Sequence, residues 1–187
     1  MTKLLEKIKV IPKNYFTLND LKKIGQMSDE SLKVSINRLL NSEELTRVIR
    51  GIYTTDISNV DWEQLACEMY QPAYLSFEWV LAKYGILSQQ PLNLTLATNR
   101  PTKKIETKNN FIFYRHLQPN LFWGYEQKEH YFEATPEKAF IDLAYLSLNG
   151  YAKFDVEEMN LTLLDINKIK LYLKKIGNEK LGKLVDI

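Results

Sequence analysis

The sequence predicts an α+β fold in two parts, and three observations predict it. Two short helical patterns fill residues 16–40, a basic hairpin pattern follows at once, and helical and alternating stretches interleave beyond residue 56. A chain of 187 residues can bury one substantial core or two small ones, and 45% hydrophobic with 26% charged residues is ordinary for a globular chain. Eleven Tyr and eight Phe supply enough apolar surface to offset the entropy of ordering, which argues against disorder.

The elements follow in order. Over Met1–Lys9, Leu4, Leu5 and Ile8 alternate with lysines, a short amphipathic helix that Pro12 ends. Phe16–Gly25 reads as a helix with Thr17 as its N-cap, Asp20 near the positive end of the helix and Gly25 as its stop. Ser28 caps a second helix running to Leu40, where Leu32, Ile36, Leu39 and Leu40 form one apolar stripe. Its opposite surface carries Lys33, Asn37 and Arg38, with Ser31 and Ser35 beside them. Leu45–Thr54 reads as two strands with Gly51 at the tight point and Arg47 and Arg50 along them. Helix, turn, helix and basic hairpin is the order of a winged helix-turn-helix, which lays its second helix in the DNA major groove. Residues 1–55 are therefore expected to be such a domain. They hold ten Lys/Arg against six acids, while the rest of the chain holds fifteen against seventeen. A positive surplus on the first part suits contact with phosphates.

Asp56–Asn59 is a polar link, and residues 56–187 are expected to form a mixed α/β C-terminal domain. Trp62, Leu65, Ala66, Met69 and Tyr70 give a helical period that Pro72 stops. Ser76 caps a helix with Val80, Leu81 and Tyr84 on its apolar side and Gly85 at its end. Leu92–Leu96 and Phe111–Arg115 alternate as strands, with Asn99–Asn110 between them as a loop or exposed hairpin. Thr135, Pro136 and Glu137 start a helix that buries Phe140, Ile141, Ala144, Tyr145 and Leu148 and ends near Gly150. The last clear helix, Asp165–Ile176, sets Ile166, Ile169, Leu173 and Ile176 against Lys168, Lys170, Lys174 and Lys175.

Motifs of metal and nucleophile chemistry are sparse. His116 and His130 are the two histidines, Cys67 is distant from both, and no zinc spacing exists, so neither metal nor cofactor is expected. No Gly-x-Ser-x-Gly elbow and no Walker-type glycine loop occurs. His116, in an aromatic strand, reads as structural rather than as a base, and Cys67 as a small buried hydrophobe rather than a reactive thiol. Glu137 and Asp142 could imitate a catalytic acid pair. The structural reading is stronger, with Glu137 favouring the helix start and an inward Asp142 needing a Lys or Arg from another element. No enzyme is expected. No apolar run approaches the ~20 residues of a membrane span, the N-terminus lacks a signal-peptide core, and one cysteine cannot form an internal disulfide. A cytoplasmic location without a membrane partner is expected.

The chain resembles the AbiEi antitoxin family of type IV toxin–antitoxin systems, associated with bacterial abortive infection of phage, from about Phe16 to Gly150. The resemblance lies in Phe16-Thr17 with Asp20-Leu21, in Arg47-x-x-Arg50-Gly51-Ile52-Tyr53, and in Ala73-Tyr74-Leu75-Ser76-Phe77-Glu78 followed by Tyr84-Gly85-Ile86-Leu87. Tyr114-Arg115-His116-Leu117 and Ala134-Thr135-Pro136-Glu137-Lys138-Ala139 complete it. Each piece is short; their order and spacing carry the specificity. Membership implies an N-terminal winged helix-turn-helix, a C-terminal antitoxin domain, and autorepression through inverted repeats of double-stranded DNA upstream of the operon. It also implies a cognate nucleotidyltransferase-like toxin, opposed without need of a stable complex. Trp79, where relatives often have an alanine-rich helix, and Asn37 depart from the family pattern and leave operator and toxin pairing open.

The expected DNA-binding residues are Ser31, Lys33, Ser35, Asn37 and Arg38 toward the major groove, with Asn37 and Arg38 reading base edges. Arg47 and Arg50 reach phosphates or the minor groove, and Lys103 and Lys104, with Lys108 or the last helix, add basic surface. For the lysines of the last helix alone, solubility is the simpler reading. Two other functions compete with repression. One is an antitoxin that sequesters its toxin directly without significant DNA binding. The other is an enzyme acting on the toxin or its product, for which the sequence offers no nucleotide site.

Overall fold

The computed structural model describes residues 3–107 and 110–185. It is mixed α+β, with eight α-helices and two sheets among the described residues. The chain divides into two compact units, Met1–Trp62 with Glu106–Asn109 and Glu63–Ile105 with Asn110–Ile187. The sequence places the boundary after residue 55; the units part at Trp62, beyond a short 3-10 turn at Ile57–Asn59 that Asp56 caps.

In the first unit the order is α1 (Lys3–Lys9), β1 (Phe16–Thr17), α2 (Leu18–Gly25), α3 (Asp29–Asn41), β2 (Thr46–Ile49) and β3 (Ile52–Thr54). Helix α2 starts on a capping box: Asp20 N–H donates to Thr17 Oγ1 at 3.1 Å, and Thr17 N–H donates to the Asp20 carboxylate at 2.8 Å. Burial pushes the Asp20 carboxyl up, but hydrogen bonds from Lys13 and Thr17 outweigh it and hold it below the usual carboxylate range. Ser28 caps α3 by accepting from Ser31 N–H at 3.3 Å. One core gathers Leu4, Leu5 and Ile8 of α1, Leu21 of α2, Leu32, Ile36 and Leu39 of α3, and Phe16, Leu45 and Tyr53. Leu40, expected on the same stripe, packs at its margin. Strand β3 lies between β1 and β2, antiparallel to both, and the β2–β3 register shifts between Arg47 and Ile49. Gly51 makes the turn at φ +81°, a conformation that a side chain would strain.

The second unit contains α4 (Trp62–Met69, entered from the first), β4 (Ala73–Leu75), α5 (Phe77–Lys83), β5 (Leu94–Thr98), β6 (Lys103–Glu106) and β7 (Phe111–His116). It continues through β8 (Tyr125–Gln127), β9 (Phe132–Ala134), α6 (Pro136–Leu148), α7 (Ile166–Ile176) and α8 (Glu179–Leu184). The sheet order is β6-β7-β5-β4-β9-β8. It is mixed: β5 runs parallel to β7 and β4 parallel to β9, while β4–β5 and β8–β9 are antiparallel. Helix α6 packs against β9, α5, α7 and α8. Nine of its thirteen residues are buried, which is the environment of a helix at the centre of its unit.

Several elements depart from the sequence reading. Strand β5 begins at Leu94, leaving Leu92 exposed, whereas residues 99–110, expected as a loop or exposed hairpin, contain the exposed edge strand β6 beside β7. Strands β4, β8 and β9 and helix α8 carry too few residues for their period to show. Ser76 stands at the N-cap of α5 without a side-chain cap bond: its hydroxyl donates to Asp142, and Thr95 Oγ1 accepts from Trp79 N–H in its place. Tyr84 is half exposed, its hydroxyl donating to Glu133 at 2.9 Å, and Leu148 is also exposed.

Candidate nucleic-acid interface

The face of α3 turned from the core is built by the same spacing that buries its other side. With Leu32, Ile36 and Leu39 packed inward, residues 30, 34, 37, 38 and 41 recur along the opposite side, and all five are exposed. Among the described residues no side-chain hydrogen bond or ion pair engages Lys33, Asn37, Arg38 or Arg50, so their polar groups remain available to a ligand. Ser31 is exposed and accepts a hydrogen bond from Ser28 Oγ at 3.1 Å. Ser35 sits on the flank, half-buried, with its hydroxyl donating to Met27 Sδ at 3.7 Å. Two acids adjoin the face. Asp29 is paired with Lys22 at 2.6 Å, and Glu30 is exposed in the first turn.

A groove of about 560 Å³ runs alongside, with Leu32, Ile36 and Tyr53 among its apolar walls and Asn19, Lys22, Lys33, Asn37 and Arg47 among its polar ones. It brings Lys33 and Asn37 of α3 to one concavity with Arg47 of the hairpin, whose guanidinium lies 5.8 Å from the Tyr53 ring centroid. Arg50 is exposed beside the Gly51 turn. The sequence reading missed Asn19 and Lys22 as groove residues and Val34 on the outward face. Helical spacing alone could have found Val34, which lies four residues before Arg38.

Lys103 and Lys104 belong to β6, an edge strand of the other sheet. Both are exposed, and their ammonium groups rest on aromatic rings. Lys103 Nζ is 4.7 Å from the Tyr70 centroid, which Arg100 also covers at 4.2 Å, and Lys104 Nζ is 3.5 Å from that of Phe111. Cations on an edge strand also discourage strand addition by another chain. Lys108 lies outside the described residues. In α7, Lys168 is paired with Glu137 at 2.8 Å and Lys175 Nζ sits 3.7 Å over Trp123, so two of the four lysines there have intramolecular tasks.

The second unit holds a polar constellation of which the sequence showed one part, that an inward Asp142 would need a cationic partner. Lys138, fully buried, pairs with Asp142 one turn later and donates to Tyr74 Oη at 3.1 Å. Tyr74 and Ser76 in turn donate to the other Asp142 oxygen at 3.0 and 2.8 Å. The partner expected from another element is thus supplied by the same helix, with two hydroxyls from the β4 segment completing the shell. Gly124, at φ +77°, closes over the lysine stem: a Cβ there would lie 2.9 Å from Lys138 Cγ. Burial drives Lys138 down and Asp142 up, and their mutual attraction opposes both shifts. A serine, a lysine and a carboxylate in contact resemble catalytic parts, yet Ser76, Lys138 and Asp142 are each 0–1% exposed. All three are closed off from solvent, and their contacts tie α6 to the β4 segment.

A further cluster surrounds Lys83, which bonds Glu133 at 2.6 Å and Tyr131 at 2.8 Å and lies 3.2 Å from Glu63. Burial alone would lower Lys83, but these hydrogen bonds and both carboxylates raise it, while burial pushes Tyr131 up to about 12. Near neutral pH both groups hold their protons. Cys67 is buried, as expected, and His116 is exposed with Nδ1 3.0 Å from the Arg100 carbonyl. Among the described residues no three His, Cys, Asp or Glu side chains gather to hold a metal ion, and no helix is long and apolar enough to cross a membrane. No protein-family model matches the chain, and neither does any curated protein.

Proposed function

We propose that the first unit is a winged helix-turn-helix that binds double-stranded DNA upstream of its own coding sequence, and that the protein is an autorepressing antitoxin of the AbiEi kind. In this reading α3 enters the major groove and β2–β3 form the wing. Asn37 is suited to a bidentate contact with adenine and Arg38 to one with guanine O6 and N7. Arg47 and Arg50 hold phosphates, as do Lys103 and Lys104, and contribute a salt-dependent term common to all sequences. Occupying the promoter represses the operon.

The observation that carries the DNA-binding reading is the outward face of α3, where Asn37 and Arg38 are exposed and uncommitted while Leu32, Ile36 and Leu39 anchor the helix behind them. The antitoxin part, with a nucleotidyltransferase-like toxin as functional partner in the cytoplasm and no enzymatic activity of the chain itself, is supported by the ordered motifs from Phe16 to Gly150. A gel shift of the full chain on its upstream region, against unrelated DNA at matched salt, tests the first part. Preferential retardation of the upstream fragment is expected; equal affinity for both fragments at every salt concentration refutes sequence-specific repression. Co-expression with a nucleotidyltransferase encoded beside it, which this reading requires, tests the second, with restored growth expected. A toxin that co-purifies stoichiometrically, with no DNA shift, would instead establish direct sequestration.

A further inference from the structure

The outward face of α3 has an apolar centre. Val34 is 58% exposed, and the exposed residues three and four positions on are Asn37 and Arg38, with Glu30 one turn before it. It stands opposite the side that Leu32, Ile36 and Leu39 bury. It takes no part in the buried core of the unit. More than half of its side chain stays in solvent, and a β-branched residue lowers helix propensity relative to alanine or lysine. Its isopropyl group is also stiff in a helix, so contact with a ligand would cost little rotamer entropy.

The major groove offers one apolar feature to such a group, the C5-methyl of thymine, set among the donors and acceptors that Asn37 and Arg38 can read. We propose that Val34 is a specificity-determining residue that packs on a thymine methyl in the bound duplex, beside the bases contacted by Asn37 and Arg38. The inference rests on the proposal that α3 enters the major groove. The surroundings favour DNA over a protein as the occupant. Val34 is a single apolar group ringed by polar ones, Lys33 and Arg38 carry charges opposite to phosphate, and a protein contact would need a contiguous apolar patch.

The test uses the full-length chain and its upstream fragment amplified with either dTTP or dUTP, since deoxyuridine keeps every hydrogen-bonding group of thymidine and lacks the methyl. Wild-type protein should bind the uracil fragment about fourfold more weakly for each thymine methyl that Val34 covers, the worth of one buried methyl group. Val34→Ala and Val34→Ser, at an exposed position, should fold normally, bind the thymine fragment less well and show no preference between the two fragments. Equal binding of both fragments by wild-type protein, with unrelated DNA excluded, overturns the role of Val34 and leaves the DNA-binding reading standing. An equal loss on uracil DNA for wild-type and Val34→Ala also overturns it, because the methyl would then be sensed elsewhere. Absence of any preference for the upstream fragment over unrelated DNA defeats the DNA-binding reading and the inference together.

Discussion

Helices α3 and α6 are each thirteen residues long, and each begins behind a hydroxyl cap, Ser28 in one and Thr135 in the other. They use their polar residues in opposite ways. Helix α6 turns Lys138 and Asp142 inward, where each neutralises the other; Asp142 also accepts from the Tyr74 and Ser76 hydroxyls, and Lys138 donates to Tyr74. Helix α3 buries three apolar residues and leaves Lys33, Asn37 and Arg38 exposed, with no intramolecular partner among the described residues. A charge fully matched inside the protein has spent its interactions on the fold. One left unmatched on an ordered, well-anchored helix retains them for a ligand. The same residue types therefore carry different meanings, and partners rather than identity separate them.

The strongest way to break this contrast is to unpair the buried charges. Lys138→Met keeps most of the side-chain volume and strands the Asp142 carboxylate in a dry site. It should cost about 3–5 kcal/mol, the range for breaking a buried pair on one side. Denaturant unfolding of the intact chain would read this as a large fall in midpoint. Adding Asp142→Leu should recover part of the loss, leaving the Tyr74 and Ser76 hydroxyls without their acceptor. A Lys138→Met chain as stable as wild type would mean that the pair contributes no more than an exposed one.

On α3 the prediction inverts: binding should fall and stability should not. Arg38→Ala is expected to weaken binding to the upstream fragment by about 1–3 kcal/mol, the worth of a good base contact. Its unfolding midpoint should stay within the small change typical of surface substitutions. Undiminished affinity at matched salt would remove Arg38 from the interface. The double variant Lys103→Gln, Lys104→Gln should change sequence preference little. It should lower the slope of log affinity against log salt by about 0.9 for each phosphate no longer neutralised. An unchanged slope would reduce the two lysines to guards of the β6 edge.

How far each region could be read from sequence follows from the length of its signals. The caps at Thr17, Ser28 and Thr135 and the stripe of Leu32, Ile36 and Leu39 are local, and the structure shows them where the sequence put them. Their chemistry is complete within four residues, so no tertiary knowledge was needed. Strand β4 is different. Ala73, Tyr74 and Leu75 are all buried in a mixed sheet, so no alternation marks them and only their neighbours β5 and β9 define the strand. Lys138 and Asp142 lay at helical pairing distance in plain view. Nothing in the sequence showed that the helix would be covered on nearly every side, which turned an apparent surface pair into a buried one. Ser76 is the converse case: its position is that of a cap, but Asp142, 66 residues away, takes its hydroxyl.

The smallest expected effect lies at Glu137, where the two kinds of charge meet on one helix. It opens α6, is largely buried, and pairs with the half-exposed Lys168 at 2.8 Å. Burial pushes its carboxyl up, yet Lys168 and the Asp165 backbone N–H outweigh that and hold it below the ordinary 4.5. A carboxyl whose folded value is depressed binds its proton more readily when unfolded, so stability from this source is present above pH 4.5 and lost as pH falls through the folded value. Glu137→Gln should therefore lower stability at pH 7 by at most about 1 kcal/mol, because water screens the Lys168 end. The difference from wild type should shrink below pH 4.5, read as converging unfolding midpoints across a pH series. A gap that stayed constant down to pH 3 would place the loss in packing rather than charge. Arg38→Ala should show no such convergence, since its exposed guanidinium has no described carboxylate partner to titrate.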